Sequence, residues 1–186
     1  MLPVGTMSQR RGGTVSRTQT VTEERADLLA SLAKQRHFLR FTTRGLTDEQ
    51  AARRTTVSEL CLGGLIKHVA LTERRWARFI VEGPSAMAFD PATMAGTWAD
   101  AFRMTEGETL ADLLKQYEQV ASETDEVVRT LPDLDAAQPL PDAPWFEAGA
   151  SWSARRVVLH IIAETAQHAG HADILREAID GAKSMG

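Results

Sequence analysis

The segment HIIAETAQHAGHADILREAIDG, residues 160–181, constrains the fold more than any other part of this 186-residue chain. His160, Glu164 and His168 are spaced by four, and His171 follows three later. On a helix turning about 100° per residue, the four share an arc of roughly 80°. Val157, Ile161, Ile174 and Leu175 read onto or beside the same arc, so the polar stripe interrupts a face that otherwise points at a core. Ionisable groups on a buried face are costly unless they are paired or coordinate a metal. Such a helix needs neighbours that supply both apolar cover and polar partners.

Three other long segments have the periodicity to be those neighbours, and no stretch shows the alternation or β-branched richness of a strand. The first helix is expected over residues 22–43, with Thr20 and Glu23 at capping-box spacing and Leu28, Leu29, Leu32 and Leu39 on one side. A short piece over residues 47–53 carries a second capping pattern, Thr47 with Gln50. The second long helix runs to Gly83 and Pro84, with Ser58 as its expected N-cap. The third spans residues 108–131, with Leu110, Leu113, Leu114, Tyr117, Val120, Thr124 and Val127 at steps of three and four, and is ended by Pro132. The fourth runs from Ser153 to Asp180 and stops at Gly181.

The connections are long. Residues 83–107 hold Pro84, Pro91, Gly96 and Gly107, with a turn of helix expected around Trp98; residues 132–152 hold four of the seven prolines. The expected fold class is therefore all-α, a four-helix bundle with long connections between helices two and three and between three and four. Residues 1–20 are expected to be a flexible tail, with Met7 as an alternative start, and residues 21–186 one domain.

Composition removes whole classes of function. A net charge of −4 gives no general attraction to nucleic acid. No apolar run approaches the roughly 20 residues of a membrane span. The N-terminal arginines are followed by no apolar stretch, so no secretory signal is read there. With only one cysteine, Cys61, no internal disulfide can form, and the expectation is a reducing cytoplasm.

Helix two supplies a partner for the stripe. His68 shares a face with Cys61, Leu65 and Phe79, a polar residue among apolar ones. Facing helices lie roughly 8–10 Å apart, so His68 and one i, i+4 pair of helix four can meet at a single ion. Spacing allows either pair, His160 with Glu164 or Glu164 with His168. Two imidazoles and a carboxylate with open positions form a catalytic type of ligand set, usual for zinc and also seen for iron, and an open position takes water or a substrate sulfur.

Plainer readings stand beside this one. His68 could be a hydrogen-bonded core residue, and the Glu164 and His168 pair a surface pair. Cys61 is read as a small core residue without an adjacent base. Trp76, Trp98, Trp145 and Trp152 are read as core or loop anchors, with Trp98 and Trp145 also candidates for the mouth of a pocket. Glu73 to Arg75 and Asp173 to Glu177 are read as salt bridges at the bundle ends.

GLIKHVALTERRW around His68 and the helix-four segment resemble the DinB-like (DinB/YfiT) four-helix-bundle metalloproteins, above all their actinobacterial branch, over about residues 22–181. Many members carry His and His followed by Arg-Gly-Gln where this chain has Glu164 and His168 followed by Ala169, Gly170 and His171. The Glu and His version resembles the mycothiol-dependent maleylpyruvate isomerase relatives. The resemblance implies His68, Glu164 and His168 as ligands of one divalent ion, zinc first, with nickel, iron or manganese as alternatives. It implies a metal-dependent thiol S-transferase that activates a mycothiol-type cofactor for transfer to a small electrophile, with His171 and His160 assisting proton transfer. A metal-dependent hydrolase and a non-catalytic metal-binding bundle are the alternatives, and a homodimer through helix faces is compatible with the fold.

Overall fold

A computed structural model describes residues 17–87 and 100–184. Among the described residues there are five helices, α1 (Arg17–Phe41), α2 (Asp48–Ala52), α3 (Leu62–Glu82), α4 (Leu110–Thr130) and α5 (Ala154–Asp180), with a 3₁₀ turn over Gly83–Met87. The four long helices form the bundle, and α1 and α3 each pack against both α4 and α5. Thr47 and Gln50 make the expected capping box at α2. Ser153 caps α5, its Oγ accepting the Arg156 amide at 3.2 Å, and Gly181 ends that helix in the left-handed region at φ 78°. No described helix is long and apolar enough to cross a membrane.

Several expectations are corrected. The first helix begins at Arg17, so Thr20 lies inside it; the rest of the expected tail, and Trp98 with its turn of helix, lie outside the described residues. Cys61, not Ser58, caps α3, its Sγ accepting the Gly64 amide at 3.4 Å. The connection over residues 132–152 holds a short antiparallel ladder, β1 (Ala137–Pro139) with β2 (Ser151–Ser153). Three-residue strands are too short to leave a periodic signal.

Two apolar clusters fill the bundle. One surrounds Trp76, Phe79, Val157 and Ile161, the other Leu39, Leu65, Tyr117 and Leu175. Glu73 is buried in the core rather than set at a bundle end. The Arg36 guanidinium donates to it through Nε (3.2 Å) and through a second, shorter contact, and to Asp125 at 2.7 Å. Burial alone would depress the Arg36 pKa, but the two carboxylates overcome it and raise it. Beside this pair lies the buried Tyr117 hydroxyl, and the neighbouring Thr165 hydroxyl donates to the Ile161 carbonyl at 2.8 Å. Arg176, by contrast, does lock a bundle end, donating to the carbonyls of Thr42 (2.7 Å) and Arg44 (2.8 Å) and to Asp180.

Candidate metal centre

The packing of α3 against α5 brings His68 opposite Glu164 and His168, and one ligand atom from each lies within 4.8 Å of the others. Both i, i+4 pairs of the stripe exist in space. Glu164 Oε1 is 4.0 Å from His160 Nε2, and its Oε2 is 3.9 Å from His168 Nε2. Only the second pair joins His68 within this distance, because His160 sits a turn earlier and leans edge-on against Trp76 and Trp152 (ring centroids 4.8 and 5.2 Å). The three residues are each half-buried, at the edge of the core rather than in its centre. Val157, Ile161 and Leu175 are buried as expected, but Ile174 is 62% exposed.

The donor set fits a divalent ion. Tetrahedral zinc with nitrogen and oxygen ligands places neighbouring donors about 3.4 Å apart, so small side-chain rotations close the triad onto an ion. Ligand imidazoles must be neutral. Burial, with His168 and Arg75 adding to it, lowers the His68 pKa to about 4. Burial likewise lowers those of His160 and His168, although Glu164 pulls both the other way. Near pH 7 all three rings are free of the proton that would compete with a metal.

His171 lies behind His168, its Nδ1 3.4 Å from His168 Nδ1. One of the two nitrogens must carry the shared proton, and with His168 Nε2 turned to Glu164, that bond orients the ring. Neither His171 nor His168, the ring it contacts, lines the cavity beside the triad.

That cavity, about 350 Å³, is walled by His68, Thr72, Arg75 and Trp76 of α3, Met87 of the 3₁₀ turn, His160 and Glu164 of α5, and Pro141, Trp145 and Phe146 of the second connection. Trp145 is 61% exposed, at the mouth. A larger surface groove of about 860 Å³ lies between α1 and α4, away from these residues, and it holds no comparable donor cluster. The sequence reading missed Arg75, Phe146 and Phe102. Arg75 was assigned to a bundle end, and loop residues such as Phe146 carry no periodicity. Phe102, whose ring stacks on His68 with centroids 4.0 Å apart and planes at 24°, lies just beyond the undescribed residues of a long connection. The adjacent glycines 63 and 64 inside a helical pattern were the available sign that something approaches α3 closely.

An all-α bundle that brings two imidazoles and a carboxylate together from facing helices, beside an open cavity, accords with the DinB-like class of proteins, to which the chain belongs. Within that class the chain belongs to the mycothiol S-transferase family, whose sequence model, described as Mycothiol-S-transferase, matches residues 27–181. No curated protein matches the chain. Membership implies a small-molecule thiol as substrate.

Proposed function

We infer that the protein is a metal-dependent S-transferase that joins a mycothiol-type thiol to a small electrophile, with His68, Glu164 and His168 holding one divalent ion. The observation that carries this reading is the triad, two of whose members, His68 and Glu164, line a cavity that holds no protein sulfur nucleophile. Cys61 is 1% exposed, engaged with Gly64 and Phe102, and is not part of the cavity wall. The reacting sulfur must therefore come from a bound thiol. A divalent ion in such a site lowers the pKa of a bound thiol and presents it as the nucleophile. Zinc is the first candidate, and nickel, iron and manganese accept the same donors.

The chain's own groups do the rest. His171 fixes the ring of His168. His160, neutral at pH 7 and on the cavity wall, would take the proton that the thiol gives up on binding and return it to the departing group or carbanion as the S–C bond forms. Trp76, Trp145 and Phe146 exclude water and give flat surfaces for the thiol and the electrophile, with Trp145 stacking at the mouth. A cytoplasmic location, where low-molecular-weight thiols stay reduced, accords with this chemistry.

The test is the loss of mycothiol in the presence of monochlorobimane, measured with metal-loaded protein, chelated protein and the His68→Ala variant. Metal-dependent turnover that His68→Ala lacks is expected. A panel of thiols giving no turnover above His68→Ala would sink the reading, and turnover of an ester or amide without thiol would assign a hydrolase instead.

A further inference from the structure

Phe102 is held against His68 by a set of contacts that converge on one face of α3. The Phe102 carbonyl lies so close to Gly64 that a Cβ there would come within 1.9 Å of it, and Cys61 Sγ stands 3.8 Å from the same oxygen. The Met104 side chain crosses Gly63, where a Cβ would be 2.2 Å from the sulfur, and it packs against the apolar cluster around Leu65 and Tyr117. Glu108 then pins the end of the strap, accepting the Thr105 amide at 2.7 Å and pairing with Lys67 at 2.7 Å. Gly63, Gly64, Lys67 and His68 are at i, i+1, i+4 and i+5, one side of a helix. Two adjacent glycines give up roughly 1 kcal/mol each of helix propensity against alanine, and here Gly64 admits the Phe102 backbone and Gly63 the Met104 side chain.

The imidazole of His68 is thereby bounded on two sides. Phe102 covers one face, and His168 meets it at 4.8 Å with planes at 74°. We propose that Phe102 is a positioning residue for the metal centre, seated by the Gly63–Gly64 notch and the Lys67–Glu108 pair so that its ring sets the plane of His68 and keeps water from that face. The inference rests on the proposed metal-holding role of His68. A ring already aligned with its partners loses less rotamer freedom when an ion binds, and affinity rises accordingly.

The test is metal affinity, read by titrating chelator-treated protein with Zn²⁺ against a competing chromophoric chelator. Phe102→Leu keeps an apolar side chain but removes the flat face, and it should bind zinc about tenfold more weakly, at the low end of what neighbours of metal ligands contribute. Phe102→Tyr should restore the affinity. Gly64→Ala, which displaces the strap without altering Phe102, should weaken binding to a similar degree. A second reading needs neither metal nor variant: in the chelated wild-type protein, the His68 ring protons should be shifted upfield by the Phe102 ring current. Zinc binding by Phe102→Leu within twofold of wild type, or His68 protons at their free-peptide positions, overturns the proposal and leaves the metal centre standing. A wild-type protein that binds no zinc, nickel, iron or manganese overturns both.

Discussion

Replacing Glu73 by leucine should destabilise the protein by about 3 kcal/mol, although the residue lies outside the cavity wall. The Glu73 side chain is fully buried and that of Arg36 is 6% exposed, so water cannot take over for the missing carboxylate. Removing one partner of a buried ion pair typically loses 3–5 kcal/mol, because an uncompensated charge stays inside. Asp125, 2.7 Å from Arg36 and 22% exposed, still answers part of the guanidinium, which sets the expectation at the lower end. With an m-value of about 2–3 kcal/mol per M for urea, the midpoint should fall by about 1 M. The measurement is urea unfolding of chelated protein, so that metal binding adds nothing to the native state. The double variant Arg36→Met with Glu73→Leu removes both charges, and Asp125 keeps Arg129 at 3.2 Å, so it should return to within about 1 kcal/mol of wild type. A single variant as stable as wild type, or a double variant as unstable as the single, would refute the reasoning.

Three further outcomes follow from the site. His168→Ala should abolish stoichiometric metal in the purified protein, whereas His171→Ala should retain the site with affinity lower by about tenfold; equal effects of the two in a chelator titration would remove the distinction between them. Trp145→Ala, at the exposed mouth, should raise KM for thiol or electrophile several-fold while leaving melting temperature and zinc affinity unchanged, and an unchanged KM would count against Trp145 as a binding surface. Chelated protein should lose stability on acidification: His68 has a folded-state pKa of about 4 against 6.5 unfolded, so its contribution is present above pH 6.5 and lost as pH falls through about 4. The full span is worth about 3 kcal/mol at most, and His160 and His168 act in the same direction. Thermal melts of His68→Gln between pH 7 and pH 4 should show a shallower decline, and an identical slope would contradict the assignment.

What the sequence made legible was local. The caps at Thr47, Ser153 and Gly181 are written within four residues of the positions they serve, and the α5 stripe reads directly as one face. What it hid depends on distant partners. Glu73 sits in a run, Glu-Arg-Arg, that looks solvent-exposed until Arg36, 37 residues earlier, is brought to it. Ser58 is a good capping residue, yet the helix starts at Cys61, whose sulfur can both cap and lie against the Phe102 carbonyl. The choice between His160 and His168 beside Glu164 is likewise a tertiary matter, since spacing treats the two alike and only the position of α3 separates them.

The cavity draws its walls from two helices and from a loop. The triad is carried by α3 and α5, helices tied into both apolar clusters, while Pro141, Trp145 and Phe146 belong to the loop that β1 and β2 close. The ladder and the Leu140 to Ala150 hydrogen bond at 2.9 Å anchor that loop at its base, and Phe146 seats it on the apolar cluster around Trp76, while Trp145 stands 61% exposed. Trp145 can therefore be exchanged without unseating the loop, which makes this position the place to graft a new electrophile preference onto an unchanged reactive centre.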